Sequence, residues 1–510
     1  MAETEETDIV CEHGDKLGYV LEIVLIENLR ELENAGGGCS GPGDGGQRSM
    51  RAAGELEEVA RRHETMMRFF VFLLIAHSCL AYPKSIIKTL PGYSGDLPFK
   101  FETGYIGIGE KEDIQLFYYF VESTRNPKED PIIFHLAGGP GASALVPLFY
   151  EIGPLNFIPD TLTFTVNPNG WTQMANIICV DIPAGAGFSY SESDEGWISS
   201  DTNLVNQATE FVKKFMGDHP EFSRNPVYMS GISYCGIIVP KVTLQLYEDI
   251  EHGDQPAFNI QGYILNSPLT NKFMDFNSRI EYAHRVALIS DDIYQSAVDN
   301  CHGNYIDTAS ANLVCLNSLQ RFQECTSLIN LDNILEPFCD ELDPTQDCGD
   351  DFGSAITTWA NSEVVQQALN VRQGKVEKVE LRNETLRYSQ GKNDTAFYSY
   401  DIFSSFPYHK KLSGKNCRAL IISGDHDMTF PYVGVQQWIS ALNLQVEAPW
   451  EPYYVDGQVG GYETKYAQNG YSLTYATVKG AGHICPHDKP KETMALTKTW
   501  FSSQTYSADS

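Results

Sequence analysis

The stretch Pro226-Val-Tyr-Met-Ser-Gly231-Ile-Ser233-Tyr-Cys-Gly236 decides the fold. Five residues with strand character run into a glycine, and a helical pattern starts at Ile237. Ser233 stands between them in Gly-x-Ser-x-small, the strand-to-helix corner called a nucleophile elbow. So tight a turn needs small residues beside the serine, and it holds Oγ above the sheet edge. Gly231 fits. The fifth position is Cys235, small but not glycine, and it reads as packing of the corner rather than as a thiol nucleophile. Alone the pattern is weak, so its weight comes from the chain around it.

Outward from the elbow, strands alternate with helices. Gln115 to Val121 and the continuous apolar run Pro131-Ile-Ile-Phe-His-Leu136 read as strands, the second ending in Ala137-Gly-Gly-Pro-Gly141. Asn176 to Asp181 is another, closed by Pro183-Ala-Gly-Ala-Gly187, and Asp201 is placed to cap a helix running to about Asp218. After the elbow helix come strands at Gly262–Asn266, Arg418–Ser423 and Thr474–Lys479, then a closing helix near Lys491–Phe501. This order predicts an α/β fold with a mainly parallel sheet covered on both faces. Residues 82–269 and 401–505 form that core. Residues 270–400 break the rhythm and read as an inserted helical cap over the active edge.

The chain has 510 residues, 42% hydrophobic and 12% aromatic, enough for a large core. Its formal net charge of -31, with no basic patch, repels phosphate backbones and argues against a nucleic-acid partner. Of 12 cysteines, Cys301, Cys315, Cys325, Cys339 and Cys348 crowd the insertion and suggest disulfides in an exported chain. Five cannot all pair with one another, and the connectivity stays open.

Residues 1–66 are acidic and carry the run Gly36-Gly-Gly-Cys-Ser-Gly-Pro-Gly-Asp-Gly-Gly46, which reads as a flexible linker. The run Met67-Arg-Phe-Phe-Val-Phe-Leu-Leu-Ile-Ala-His-Ser-Cys-Leu-Ala81 has the form of a secretory signal peptide. It is too short for a membrane span, which needs about 20 residues. Translation is therefore expected to start at Met66 or Met67, with residues 1–66 an artefact of the gene model. N-terminal sequencing of the native protein checks this. Sequons at Asn383 and Asn393 fit a glycosylated chain of the secretory pathway, secreted or vacuolar.

A serine becomes nucleophilic when a histidine, oriented by a carboxylate, takes its proton. Downstream of Ser233, two strand ends offer these partners: Gly424-Asp425-His426-Asp427 and Gly480-Ala-Gly-His483. Both are loops following strands, where chemistry gathers in open α/β sheets. A metal reading of His483-x-Cys485-x-His487 is weaker, since Pro486 interrupts it and no second ligand set stands out. His135, His426 and His487 read as structural.

Gly-Gly-Pro-Gly at 138–141, Gly-x-Ser-Tyr at 231–234, Gly-Asp-x-Asp at 424–427 and Gly-Ala-Gly-His at 480–483 occur in this order. With Leu90-Pro-Gly92 and Phe188-Ser-Tyr190, they resemble the serine carboxypeptidase family, from Ile86 to Phe501. The resemblance implies an α/β-hydrolase fold and a triad of Ser233, Asp427 and His483. It implies an oxyanion hole of the Gly139 and Tyr234 backbone N–H groups, and Asp425 as a loop-stabilising neighbour. No metal or organic cofactor is called for.

The chain departs from that family where a peptide's terminal carboxylate binds. The family has Asn before Gly-Gly-Pro-Gly and Glu before the serine; here the substrate-binding positions are Ala137, Gly138 and Ile232. Neither Ala137 nor Ile232 can hydrogen-bond through its side chain, and a carboxylate buried without partners costs several kcal/mol. A plant branch of the family replaces these residues and moves acyl groups from 1-O-glucose esters to alcohols. Tyr150-Glu-Ile-Gly-Pro154 and Asn167-Pro-Asn-Gly-Trp171 resemble that branch, although it often has Asp where Ile232 stands. The family also has a cysteine at the place of Ala142, bridged to one expected near Ser389, and both are missing. The first expectation is an acyltransferase using a glucose ester and an alcohol acceptor. The alternatives are a carboxypeptidase that grips the peptide C-terminus through Arg or Lys of the cap, and a non-catalytic binding protein.

Overall fold

A computed structural model describes residues 84–308, 312–338, 352–383 and 398–503. The extension 1–66, the leader 67–81, Ser389, Asn393, Cys339 and Cys348 lie outside the described residues. Among those described, no helix is long and apolar enough to cross a membrane.

The frame is a 12-stranded sheet. From one edge to the other, its main path runs Lys84–Ile87, Phe101–Ile108, Ile114–Val121, Asn176–Val180, Ile132–Leu136, Pro226–Ile232, Asn259–Asn266, Arg418–Gly424, Tyr471–Val478, Gln458–Gln468 and Gln445–Val455. The stretch from Asn176–Val180 to Tyr471–Val478 is parallel, as expected. Both margins are antiparallel, which the strand–helix alternation did not announce. Ile132–Leu136 is buried along its whole length, and Pro226–Ile232 at all but its first residue, because helices cover both faces. The outer strand Gln445–Val455 is mostly exposed, carries Pro449 and Pro452, and shifts register three times against its neighbour.

Chain order reverses between two central neighbours. After Ile132–Leu136 the chain adds Asn176–Val180 on one side, then crosses to lay Pro226–Ile232 on the other. This is a topological switch point, where the loops leaving adjacent strands diverge and open a crevice. The loops here are Ala137–Gly141 and the Ser233 elbow.

Two hydrophobic layers sandwich the sheet. One joins Phe134, Met229 and Leu265 to helices Asp201–Asp218 and Cys235–Glu251 through Phe211, Phe215, Ile238 and Val242. The other joins Ile133, Tyr228 and Ile264 to the opposite cover. Ser200, not Asp201, caps the first helix, its Oγ accepting from the Asn203 amide at 3.1 Å. Asp201 is the first helical residue. Its buried carboxylate accepts from the Tyr234 and Tyr398 hydroxyls and the Ile402 amide.

The insertion divides into two parts. Helices Lys272–Arg285, Asp291–Cys301 and Leu313–Thr326 form a separate apolar cluster, closed by a Cys301–Cys315 disulfide and seated on Met428 and Val433. Phe352–Ala360 and the residues to Val379 instead belong to the sheet's own core, through Phe352, Ile356, Trp359, Leu369 and Val379. Trp359 Nε1 donates to Pro91 O at 2.8 Å. The cap proper is thus the first part of 270–400.

Candidate active site

Ser233 has φ +61°, the left-handed region that a residue with a Cβ enters at a cost of about 1–2 kcal/mol. Backbone bonds hold it there: its N–H donates to Asn266 O, and its C=O accepts from the Gly236 and Leu269 amides, each at 3.0 Å. A Cβ on Gly231 would lie 2.6 Å from that of Cys235, which is why both flanking positions are small. Cys235 is buried and donates its thiol hydrogen to Ala137 O at 2.9 Å. Burial pushes that thiol well up, so it stays protonated.

Asp427 and His483 meet as the loop positions imply. His483 Nδ1 donates to Asp427 Oδ2 at 2.9 Å. Asp427 Oδ1 accepts from the amides of Thr429 at 2.7 Å and Phe430 at 3.0 Å. Asp427 is fully buried and His483 nearly so. Burial opposes an imidazolium there. The Asp427 carboxylate more than offsets it, by charge and by hydrogen bond, and lifts the group to about 9.

Asn266, which the sequence did not mark, ties the two loops together. Its backbone O takes the Ser233 amide, and its side-chain Nδ2 donates to His483 O at 3.0 Å. The available signal was a polar residue closing an apolar strand beside the elbow. The cap supplies further ties. Leu331 O accepts from the Met428 and Thr429 amides, and Asp332 O accepts from the His483 amide at 2.6 Å. Arg279 of the cap donates to Thr429 O at 2.8 Å.

Asp425 holds the loops, its Oδ1 accepting from the Gly480 amide at 2.7 Å and hydrogen-bonded to His426 Nδ1 at 2.6 Å. His487 stacks on Tyr150 at 3.8 Å between ring centres. Cys485 is buried and faces Gly482 O. His135 is buried, with Nδ1 3.1 Å from Ser230 Oγ and Nε2 3.6 Å from the buried Glu151. Glu151 and Tyr150 lie in the 150–154 segment, which packs on 167–171 through Trp171 N–H to Ile152 O at 2.8 Å and Asn167 Nδ2 to Gly153 O at 3.0 Å.

The loop Ala137–Gly141 approaches the serine closely: a Cβ on Gly138 would lie 3.1 Å from that of Ser233. Neither the Gly139 nor the Tyr234 amide donates to another described group. Ile232 is buried, and Ala137 and Gly138 are half-buried. Lys272 of the cap sits over the Tyr234 ring at 5.7 Å and the Tyr400 ring at 5.0 Å. Ala142 forms an isolated antiparallel bridge with Arg382, flanked by Ser143 N–H to Leu381 O at 2.9 Å and Asn383 N–H to Gly141 O at 3.1 Å. The register of one isolated bridge leaves no periodic trace in sequence. Asn383 Nδ2 donates to Gly185 O at 2.8 Å, a bond that a glycan on this nitrogen would have to replace.

A family model described as serine carboxypeptidase matches residues 91–503. Serine carboxypeptidase-like 16 of Arabidopsis thaliana is 43% identical over 446 residues, covering 85% of this chain and 97% of that protein. Serine carboxypeptidase-like 13 of the same plant is 41% identical over 442 residues, covering 85% and 97%. The crystal structure of Kex1(delta)p, a prohormone-processing carboxypeptidase from Saccharomyces cerevisiae, superposes with a TM-score of 0.65 over 82% of this chain and 94% of that one. At 17% identity that likeness speaks for the α/β-hydrolase fold alone.

Proposed function

Since the chain belongs to the serine carboxypeptidase family, whose members are Ser-His-Asp hydrolases, we propose that it is an acyltransferase of that type. It moves an acyl group from a 1-O-glucose ester to an alcohol through Ser233, His483 and Asp427.

In the first half-reaction, Ser233 Oγ attacks the ester carbonyl while His483 Nε2 takes its proton. The Gly139 and Tyr234 amides receive the oxyanion, and two such donors lower the barrier by roughly 3 kcal/mol or more. Collapse breaks the bond to glucose, whose oxygen takes the proton from His483. In the second, the acceptor hydroxyl gives its proton to His483 and attacks the acyl carbon, and Ser233 leaves with that proton. Asp427 keeps the Nδ1–H tautomer of His483 throughout and stabilises the transient imidazolium.

The observation that carries the choice of transfer over peptide cleavage is the pair Ala137 and Ile232. Both flank the elbow, and neither side chain offers a donor or acceptor to a terminal carboxylate. One observation favours the second reading, a carboxypeptidase: Lys272 places a cation over the ring of Tyr234. Two measurements separate these. A fluorophosphonate probe labels Ser233 in either enzyme and does not label a non-catalytic binding protein. A panel of glucose esters with alcohol acceptors, run beside a blocked dipeptide, gives ester products in the first reading. Faster dipeptide cleavage than transfer overturns it.

A further inference from the structure

Arg279 reaches the acid of the proposed triad through a single peptide group. It lies half-buried on the cap helix Lys272–Arg285, its guanidinium stacked on the Phe276 ring at 4.7 Å. Nη2 donates to Thr429 O at 2.8 Å, and Nε to the same oxygen at 3.3 Å. That carbonyl and the Phe430 N–H belong to one planar, conjugated unit. The Phe430 N–H in turn donates to Asp427 Oδ1 at 3.0 Å. A cation pulling on the oxygen of an amide makes its N–H a stronger donor, so the two bonds reinforce each other. Thr429 joins the same network twice more, its amide donating to Asp427 Oδ1 at 2.7 Å and its hydroxyl to Asp332 Oδ1. Among the described residues Arg279 forms no salt bridge, and a neutral donor would satisfy Thr429 O as well. Its charge therefore acts through its field. Burial pulls the guanidinium down from its ordinary value, while the carboxylates of Asp427, Asp332 and Asp275 favour its charge, Asp427 the most. Asp427 is faced also by His483, Asp332, Asp275 and the Tyr282 hydroxyl, and His483 by Asp332, Arg382 and Asp488.

We propose that Arg279 is a positioning residue: from the cap it polarises the Thr429–Phe430 peptide and so fixes the Asp427 carboxylate that orients His483. The fork of two donors on one oxygen sets the geometry, and the charge sets the field. A cation here steadies Asp427 as an anion and opposes a second positive charge on His483. His483 is therefore a base at lower pH than it would be beside Asp427 alone. The proposal rests on the triad of Ser233, His483 and Asp427, and it holds for acyl transfer and peptide cleavage alike.

The experiment follows the rate at which a neutral alkyl fluorophosphonate labels Ser233 as pH is raised, in wild type, Arg279→Met, Arg279→Gln and Arg279→Lys. Labelling needs neutral His483 but no knowledge of the natural substrate. Two quantities are read, the plateau rate and the pH of half-maximal rate. In Arg279→Met the plateau falls about tenfold and the half-maximal pH rises by about 0.5–1 unit. Arg279→Gln keeps a donor for Thr429 O, so it recovers much of the plateau while its half-maximal pH stays raised. Arg279→Lys keeps the charge without the fork, so its half-maximal pH lies near that of wild type and its plateau stays low. A residue that merely holds the cap down would lower stability and leave the half-maximal pH where it was. An unmoved half-maximal pH in Arg279→Met and Arg279→Gln therefore overturns the proposal. So does loss of labelling together with the native circular dichroism spectrum in both, which would assign Arg279 to the fold alone. Wild type that is not labelled at any pH overturns the triad and this proposal together. A shifted half-maximal pH with no transfer from glucose esters sinks the acyltransferase reading and leaves Arg279 in its role.

Discussion

The loops of Asp427 and His483 and the loop Ala137–Ala142, which share one site in the proposed mechanism, are built in different ways. The first two are buried and tied from many directions: Asp427 takes three hydrogen bonds, and Asn266, Asp332 and Arg279 reach in from neighbouring elements. The loop Ala137–Ala142 is held by backbone bonds to 381–383 and, just beyond it, by the buried Asp181, which accepts from Ser143 Oγ and the Ala144 amide. Its side chains at 137 and 142 end at Cβ. The difference separates two duties. Proton transfer tolerates little displacement, since a 1 Å error costs about 100-fold, which fits the many ties on the proposed acid–base pair. In the proposed function, substrate choice falls to a loop whose conformation rests on its glycines and on backbone bonds rather than on larger side chains.

The comparison breaks first on the chemistry side. Ser233→Ala lowers kcat by about a million-fold and abolishes fluorophosphonate labelling. Asp427→Asn removes the partner that fixes the His483 tautomer and lowers kcat about 10,000-fold, with a circular dichroism spectrum like that of wild type.

Next comes pH. His483 acts as a base only when neutral, and its ionisation is raised to about 9. kcat/KM therefore climbs about tenfold per unit on the acid side and levels as His483 loses its proton. Stability runs the opposite way. The His483–Asp427 pair contributes fully below the unfolded imidazole value of about 6.5 and loses its contribution as pH rises through the folded value. A flat profile from pH 6 to 9 contradicts the assignment of His483 as base.

Asn266→Ala keeps the backbone tie to Ser233 and removes the one to His483 O. kcat falls about tenfold, and unfolding in urea shows a loss of about 1–2 kcal/mol. The smallest effect belongs to the loop side. Joint Ala137→Asn and Ile232→Glu substitution raises dipeptide cleavage about tenfold or less, because the new carboxylate must be buried where Ile232 is. A larger loss of stability than of transfer activity would mean that Ile232 is a core residue first.

What was legible in sequence follows the same division. The elbow and the two strand-end loops were readable because a tight turn demands small residues beside Ser233 and chemistry gathers in loops after strands, whereas Asp427 rather than Asp425 as the expected acid came from the family resemblance. The expected triad of Ser233, Asp427 and His483 needed no knowledge of which strands were neighbours. Asn266 joins its two loops only through tertiary register, which no local pattern encodes. The antiparallel margins escaped notice for a related reason. Phe101–Ile108 is buried on both faces and shows no alternation, and Gln445–Val455 is too exposed to show an apolar run. Asp201 looked like a cap because Asp commonly is one. Its carboxylate had three better partners that lie far along the chain or across the elbow.

The short cap segment at 331–334 is knitted by main-chain bonds into both the acid loop and the histidine loop. It is a keystone rather than a hinged door. Swinging it aside would break its main-chain bonds to the loops of Asp427 and His483, so under the proposed mechanism each turnover proceeds with this piece in place.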